Sequence, residues 1–181
     1  MTDMNTTVTT RKQRGFAMLF AVLTSSVLLS IGLSIFSLTV KELALSSAGK
    51  ESQIAFYAAD SGVECALYWD ITKAAFATSS SPLASPTLEC AGQDGLAISE
   101  VKGSSAATTT FSFAPTDVTP YDSVTPCVFV SVAKYVSGGS SKTQIQSRGY
   151  NVGYETTGPT PENKCTGPDT LKVERALLVN Y

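Results

Sequence analysis

Histidine is absent from all 181 residues. Its absence removes the commonest general base and the commonest metal ligand together. No G-x-S-x-G motif, glycine-rich phosphate loop or EF-hand spacing occurs either. The two aspartates bounding residues 117 to 122 read as turn residues, not calcium ligands. Cysteines stand at 65, 90, 127 and 165, too far apart for the CxxC spacing of zinc ribbons or thioredoxin-like sites. Charge is scarce, at 15% of residues and a net of −2. Setting aside Arg11, Lys12, Arg14 and Asp3 leaves 10 basic and 14 acidic side chains. A mildly acidic remainder has no electrostatic footprint for nucleic acid. Asp60, Glu64 and Asp70 fall at helical spacing and read as a solvated face. The chain does not read as an enzyme, and no cofactor or metal is expected.

What is present is one uncharged run, Phe16 to Val40, preceded by Arg11, Lys12 and Arg14 and closed by Lys41 and Glu42. As a helix it spans roughly 37 Å, enough for a hydrocarbon core of about 30 Å. The cations before it hold that side in the cytoplasm, so the remainder from Lys41 is expected outside. The run is too long for the core of an ordinary secretory signal peptide, although Ser46 and Ala48 satisfy the small-residue cleavage rule. A plain single-pass anchor fits its length. Ser26, Ser30 and Ser34 recur every four residues with Gly32 between them. Small residues at that spacing let helices approach closely in an apolar medium. They are also simply common in membrane helices.

Gly15-Phe16, at the junction of basic leader and apolar run, resembles the cleavage site of type IV prepilins and pseudopilins. The resemblance implies that a prepilin peptidase cuts between Gly15 and Phe16 on the cytoplasmic face, with N-methylation of Phe16. That family usually carries Glu at the fifth mature residue, where this chain has Phe20. An uncharged fifth residue resembles certain minor members, notably the K-type pseudopilin at the tip of secretion pseudopili. The run Ile54-Ala55-Phe56-Tyr57-Ala58-Ala59-Asp60-Ser61-Gly62-Val63-Glu64 resembles the segment after the membrane helix in PilX-type minor pilins. Together the two matches cover about the first 70 residues.

Beyond Lys41 the sequence becomes amphipathic, with Ala55, Ala59, Val63, Leu67 and Ile71 at four-residue spacing and Asp70 off that stripe. One nearly continuous helix is expected over residues 16 to 76. Residues 77–95, with Pro82, Pro86, Gly92 and Gly95, read as a turn-rich loop. Strands are expected at 96–102 and 108–114 as a hairpin, then at 127–136, 142–154 and 171–181. The turn Ser137-Gly138-Gly139-Ser140-Ser141 joins the first two of the later three. In the last strand Leu171, Val173, Leu177 and Val179 share a face, with Arg175 as the exception. The expected class is α+β: a pilin-like lollipop whose long N-terminal helix, membrane-spanning in its first half, packs on an antiparallel sheet. Its parts are a prepilin leader (1–15), the transmembrane or filament-core half-helix (16–40) and an extracytoplasmic domain (41–181).

Well-separated cysteines beyond a membrane-targeting segment favour disulfides. Four cysteines allow three pairings. Of these, pairing Cys65 with Cys90 would pin the loop after the helix, and pairing Cys127 with Cys165 would clip the 155–170 excursion.

The resemblance implies a structural minor subunit of a type IV pilus, inserted singly in the cytoplasmic membrane with its N-terminus inside. Assembly runs through Phe20, Ser26, Ser30, Gly32 and Ser34. Its partners are other pilin subunits, the prepilin peptidase, a membrane assembly platform, a cytoplasmic ATPase, and membrane lipid before assembly. A minor pseudopilin of a secretion or DNA-uptake machine is the first alternative. An unprocessed, membrane-anchored extracellular binding domain is the second.

Overall fold

The computed structural model describes residues 14–78, 81, 83–84, 87–116, 125–155, 160–161, 164–166 and 172–181. The leader up to residue 13, Leu171, Pro82, Pro86 and the 117–122 turn lie outside the described residues. Two compact units are present, Met1–Ser47 and Ala48–Tyr181. Helix α1, Arg14–Leu67, contributes to both, and Gly32 and Gly49 do not interrupt it. The class is α+β, with antiparallel strands following the long N-terminal helix.

Within the second unit, α1 is seated on the sheet by small residues. Ala55, Ala58, Ala59 and Ala66 are fully buried and Val63 nearly so. A strict four-residue spacing advances about 40° per step around a helix of about 3.6 residues per turn. The expected stripe therefore winds off the interface: Leu67 is half-buried and Ile71 is exposed. Asp70 takes the place expected of Ile71 and is buried, contrary to its reading as a solvated charge. The helix also ends earlier than residue 76. A π-helical turn, Tyr68–Thr72, closes it, and Ala74 then adopts a left-handed φ of 46°. That reversal sends Ala75, Phe76 and Ala77 into the core.

The main sheet is a meander in the order β3-β4-β5-β6-β7, comprising Ser99–Lys102, Ala106–Phe113, Cys127–Ser137, Ser140–Tyr150 and Glu174–Asn180. Every neighbouring pair is antiparallel. Between β5 and β6 the turn is only Gly138-Gly139, with φ of 60° and 79°. A two-residue hairpin loop of the type I′ kind needs both central residues at positive φ, which glycine adopts without a Cβ clash. On the face toward α1, Val128, Val130 and Val132 alternate along β5, and Thr143, Ile145 and Ser147 along β6, all buried.

The turn-rich segment 77–95 departs from its expectation as a loop. It contains β1 (Thr87–Cys90) and part of β2 (Gln93–Ala97), which form a separate two-stranded sheet. The single strand expected at 96–102 is consequently divided, since β2 pairs with β1 and β3 with β4. Leu88 and Leu96 carry this small sheet onto the core. There Phe76, Phe111 and Phe113 stack, with ring centroids 6.0 and 6.3 Å apart and planes within 15° of parallel.

Both disulfides fall inside this unit. Cys65 of α1 joins Cys90, which stands at the end of β1 and not in a loop, with Cα atoms 5.8 Å apart. Cys127 joins Cys165 across 5.4 Å. The second bridge forms a satellite cluster with Tyr150, against which Phe129 and Tyr154 pack. Burial, and then the Glu174 carboxylate, push the Tyr150 phenol above its ordinary value, with Arg148 opposing weakly. A raised phenol pKa means that the unfolded chain releases its proton first. This contribution to stability is therefore complete below about pH 10 and is lost as pH rises above it. Denaturant titrations across that range are expected to show a shallower alkaline decline for Tyr150→Phe than for the parent. Superimposable declines would refute the assignment.

Candidate functional site

In the first unit, every residue from Phe16 to Ser47 is exposed, and the large apolar side chains there are 51–77% exposed. Membrane-spanning length and composition are met by this helix, near the N-terminus. Of its seven hydroxyl side chains between Phe16 and Val40, six, all but Ser37, are turned back on their own backbone. Thr24 Oγ1 donates to the Phe20 and Ala21 carbonyls at 3.1 and 3.0 Å. Ser25 and Ser26 donate to Val22 and Leu23 at 3.0 and 2.8 Å. Ser30, Ser34 and Thr39 donate to Val27, Ser30 and Ile35 at 2.8, 2.9 and 2.9 Å. These six hydroxyls need no outside partner, which an apolar medium would not supply.

Two surfaces follow along this segment. Phe20, Leu23, Thr24, Val27 and Leu28 line an open apolar hollow, on the helical spacing of a single face. Ser26, Ser30 and Ser34 lie roughly a quarter-turn away at about 100° per residue. With their hydroxyls folded inward they form a low ridge of small residues. Gly32 has nothing within 4 Å of where a Cβ would stand. Gly15 and Phe16 fall in the first turn of α1.

The helical part of the second unit is fastened to the sheet at both ends. At one end, Asn151 Nδ2 donates to Glu51 Oε2 at 2.7 Å, and Asn151 Oδ1 accepts from the Val173 amide at 2.6 Å. Arg175, the polar exception on the inner face of β7, donates from Nε to Ser52 Oγ at 2.9 Å. At the other end, Asp70 contacts Lys134 of β5 through Oδ1 and accepts from Tyr181 Oη through Oδ2 at 2.6 Å. Burial raises the Tyr181 phenol well above its usual value, and the adjacent Asp70 carboxylate adds to the effect. The hydrogen bond with Thr143 opposes it.

Sequence reasoning missed both fastenings. Glu51 and Asp70 were legible only as charges, and their partners lie 100 and 111 residues further along the chain.

Asp60, Glu64 and Asp70 do not form one carboxylate cluster: Asp60 is half-buried, Glu64 exposed and Asp70 buried. Among the described residues no group of three metal-ligating side chains occurs. A cleft of about 260 Å³ between β2 and the late loops is lined by Gln93, Asp94, Tyr154 and Lys164 among others. Burial raises the Tyr154 phenol, and its hydrogen bond with Gln93 opposes the shift. No family model, curated protein or solved structure matches this chain.

Proposed function

We propose that the protein is a structural minor subunit of a type IV pilus-like filament, held first in the membrane and then assembled through its N-terminal helix. The observation that carries this reading is the surface from Phe16 to Val40. It is uncharged, exposed, and has six of its seven hydroxyls already satisfied by its own backbone. Such a surface suits lipid and suits packing against like helices. The ridge of Ser26, Ser30 and Ser34 supports close helix approach, and Gly15-Phe16 supplies the processing site. Prepilin peptidase, other subunits and a membrane assembly platform are the partners this reading requires. Phe20, uncharged and lining the apolar hollow, favours a subunit that starts or decorates a filament over one that builds its shaft.

Co-expression with a prepilin peptidase and mass spectrometry of the N-terminus test the proposal. The expected product begins at Phe16 and is N-methylated, and substitution of Gly15 should leave the leader attached. A membrane-inserted protein that keeps its leader despite an active peptidase would instead be a simple anchored domain.

A further inference from the structure

The geometry points to a self-formed covalent cross-link: an amide between Lys134 Nζ and Asp70 Cγ, joining the end of the helix to the middle of the sheet. Three observations meet at this site. The Asp70 side chain is 4% exposed and that of Lys134 is 15% exposed, with the amine against Asp70 Oδ1. Although buried and touched by that amine, Oδ1 accepts no hydrogen bond. The other oxygen, Oδ2, accepts the Tyr181 phenol proton at 2.6 Å. An ordinary buried ion pair satisfies its oxygens through hydrogen bonds from the cation. Here the amine stands beside the carboxyl group without making one.

The reacting forms are the neutral amine and the carboxylic acid, reached when one proton passes from Lys134 Nζ to the carboxyl oxygen it touches. The amine is then held as a nucleophile beside an electrophilic carbon, with the entropy of meeting already met by the fold. Nζ bonds to Cγ, the Cγ–Oδ2 bond breaks, and Oδ2 leaves as water carrying two protons, one the acid proton passed over from Oδ1 and one from the Tyr181 phenol. The phenol, already donating to Oδ2, regains its proton from the nitrogen. Amine plus acid gives amide plus one water, and no oxidant or outside reagent is needed. Tyr181 is thus the catalytic proton donor of the reaction.

This inference does not rest on the pilus reading. It is tested by intact and peptide mass spectrometry of the full-length protein after complete disulfide reduction and alkylation. The expected chain is lighter by one water. Trypsin should yield residues 51–73 joined to residues 103–142, with cleavage after Lys134 blocked. The joined peptide is the decisive readout, because Asp94-Gly95 could lose water alone through a succinimide. Lys134→Met should restore the full mass, and Tyr181→Phe should leave a mixture of linked and unlinked chains. Separate, unmodified 51–73 and 103–134 peptides from the parent protein overturn the cross-link. Complete linkage in Tyr181→Phe overturns the role of the phenol.

Discussion

Gly149→Ala is expected to lower the stability of the second unit by about 3 kcal/mol, the upper range for overpacking a well-filled core. A Cβ at Gly149 would stand 2.1 Å from the Ala55 carbonyl oxygen and 2.3 Å from the Ala59 nitrogen. Both are helix backbone atoms, so no rotamer change relieves the clash. Either α1 lifts from β6 or the strand gives way. Gly62, on the helix side of the same seam, is the informative control. Its added Cβ would meet Ser147 Oγ at 2.2 Å, Val128 Cγ1 at 2.6 Å and Val130 Cγ2 at 3.0 Å; these are side-chain and not backbone atoms, so the hydroxyl can rotate away while the stiff valines must shift. Alanine there also gains about 1 kcal/mol of helix propensity. Thermal melts followed by circular dichroism should therefore rank Gly149→Ala far below Gly62→Ala. Equal melting points for Gly149→Ala and the parent would mean that α1 is not seated on β6.

The second large effect is expected from removing the Cys127–Cys165 bridge by paired substitution to serine. It spans 38 residues of chain, and loop entropy sets its contribution at about 4 kcal/mol or less. That is a large share of the roughly 5–15 kcal/mol that holds a domain folded. Around Cys165 the described ties include the Tyr154 bridge, hydrogen bonds from the Glu155 amide to Lys164 and from the Lys164 amide to Pro161, and one from Lys172 Nζ to the Cys165 carbonyl. Limited proteolysis should cut residues 155–170 in the serine variant and spare them in the oxidised parent. Loss of Cys65–Cys90 should leave that segment protected. If both serine variants were cut at the same rate, the bridge would not be what restrains the excursion.

The meander was legible because each later strand carries its own alternation. Thr143, Ile145 and Ser147 point inward and Gln144, Gln146 and Arg148 outward, and a paired glycine turn sets the register. The helix was legible from its length and apolar run, and the disulfides from the placement of four cysteines. Three features were hidden. A four-residue spacing looks straight in the sequence but drifts round the helix, and that drift is what turns Asp70 inward. The β1–β2 ribbon is short and bordered by Ser, Pro and Gly, which dominate any local reading. Its only signal is the alternation of Leu88 and Cys90 inside with Thr87 and Glu89 outside. The fastenings at Glu51 and Asp70 depend on partners at great sequence distance, and no local pattern encodes them.

The inward-turned hydroxyls of the first helical segment have a consequence for selectivity. With six of its seven hydroxyls folded inward, all but Ser37, the surface is nearly mute chemically: acyl chains, detergent and a neighbouring helix meet mostly the same hydrocarbon. Exchanging one of these for another then changes little in polar solvation, and the choice among them falls to contour, namely the depth of the hollow beside Phe20 and the height of the serine ridge. Discrimination at this segment is thus steric. A single bulky side chain on the ridge would alter its company more than any change of salt or pH.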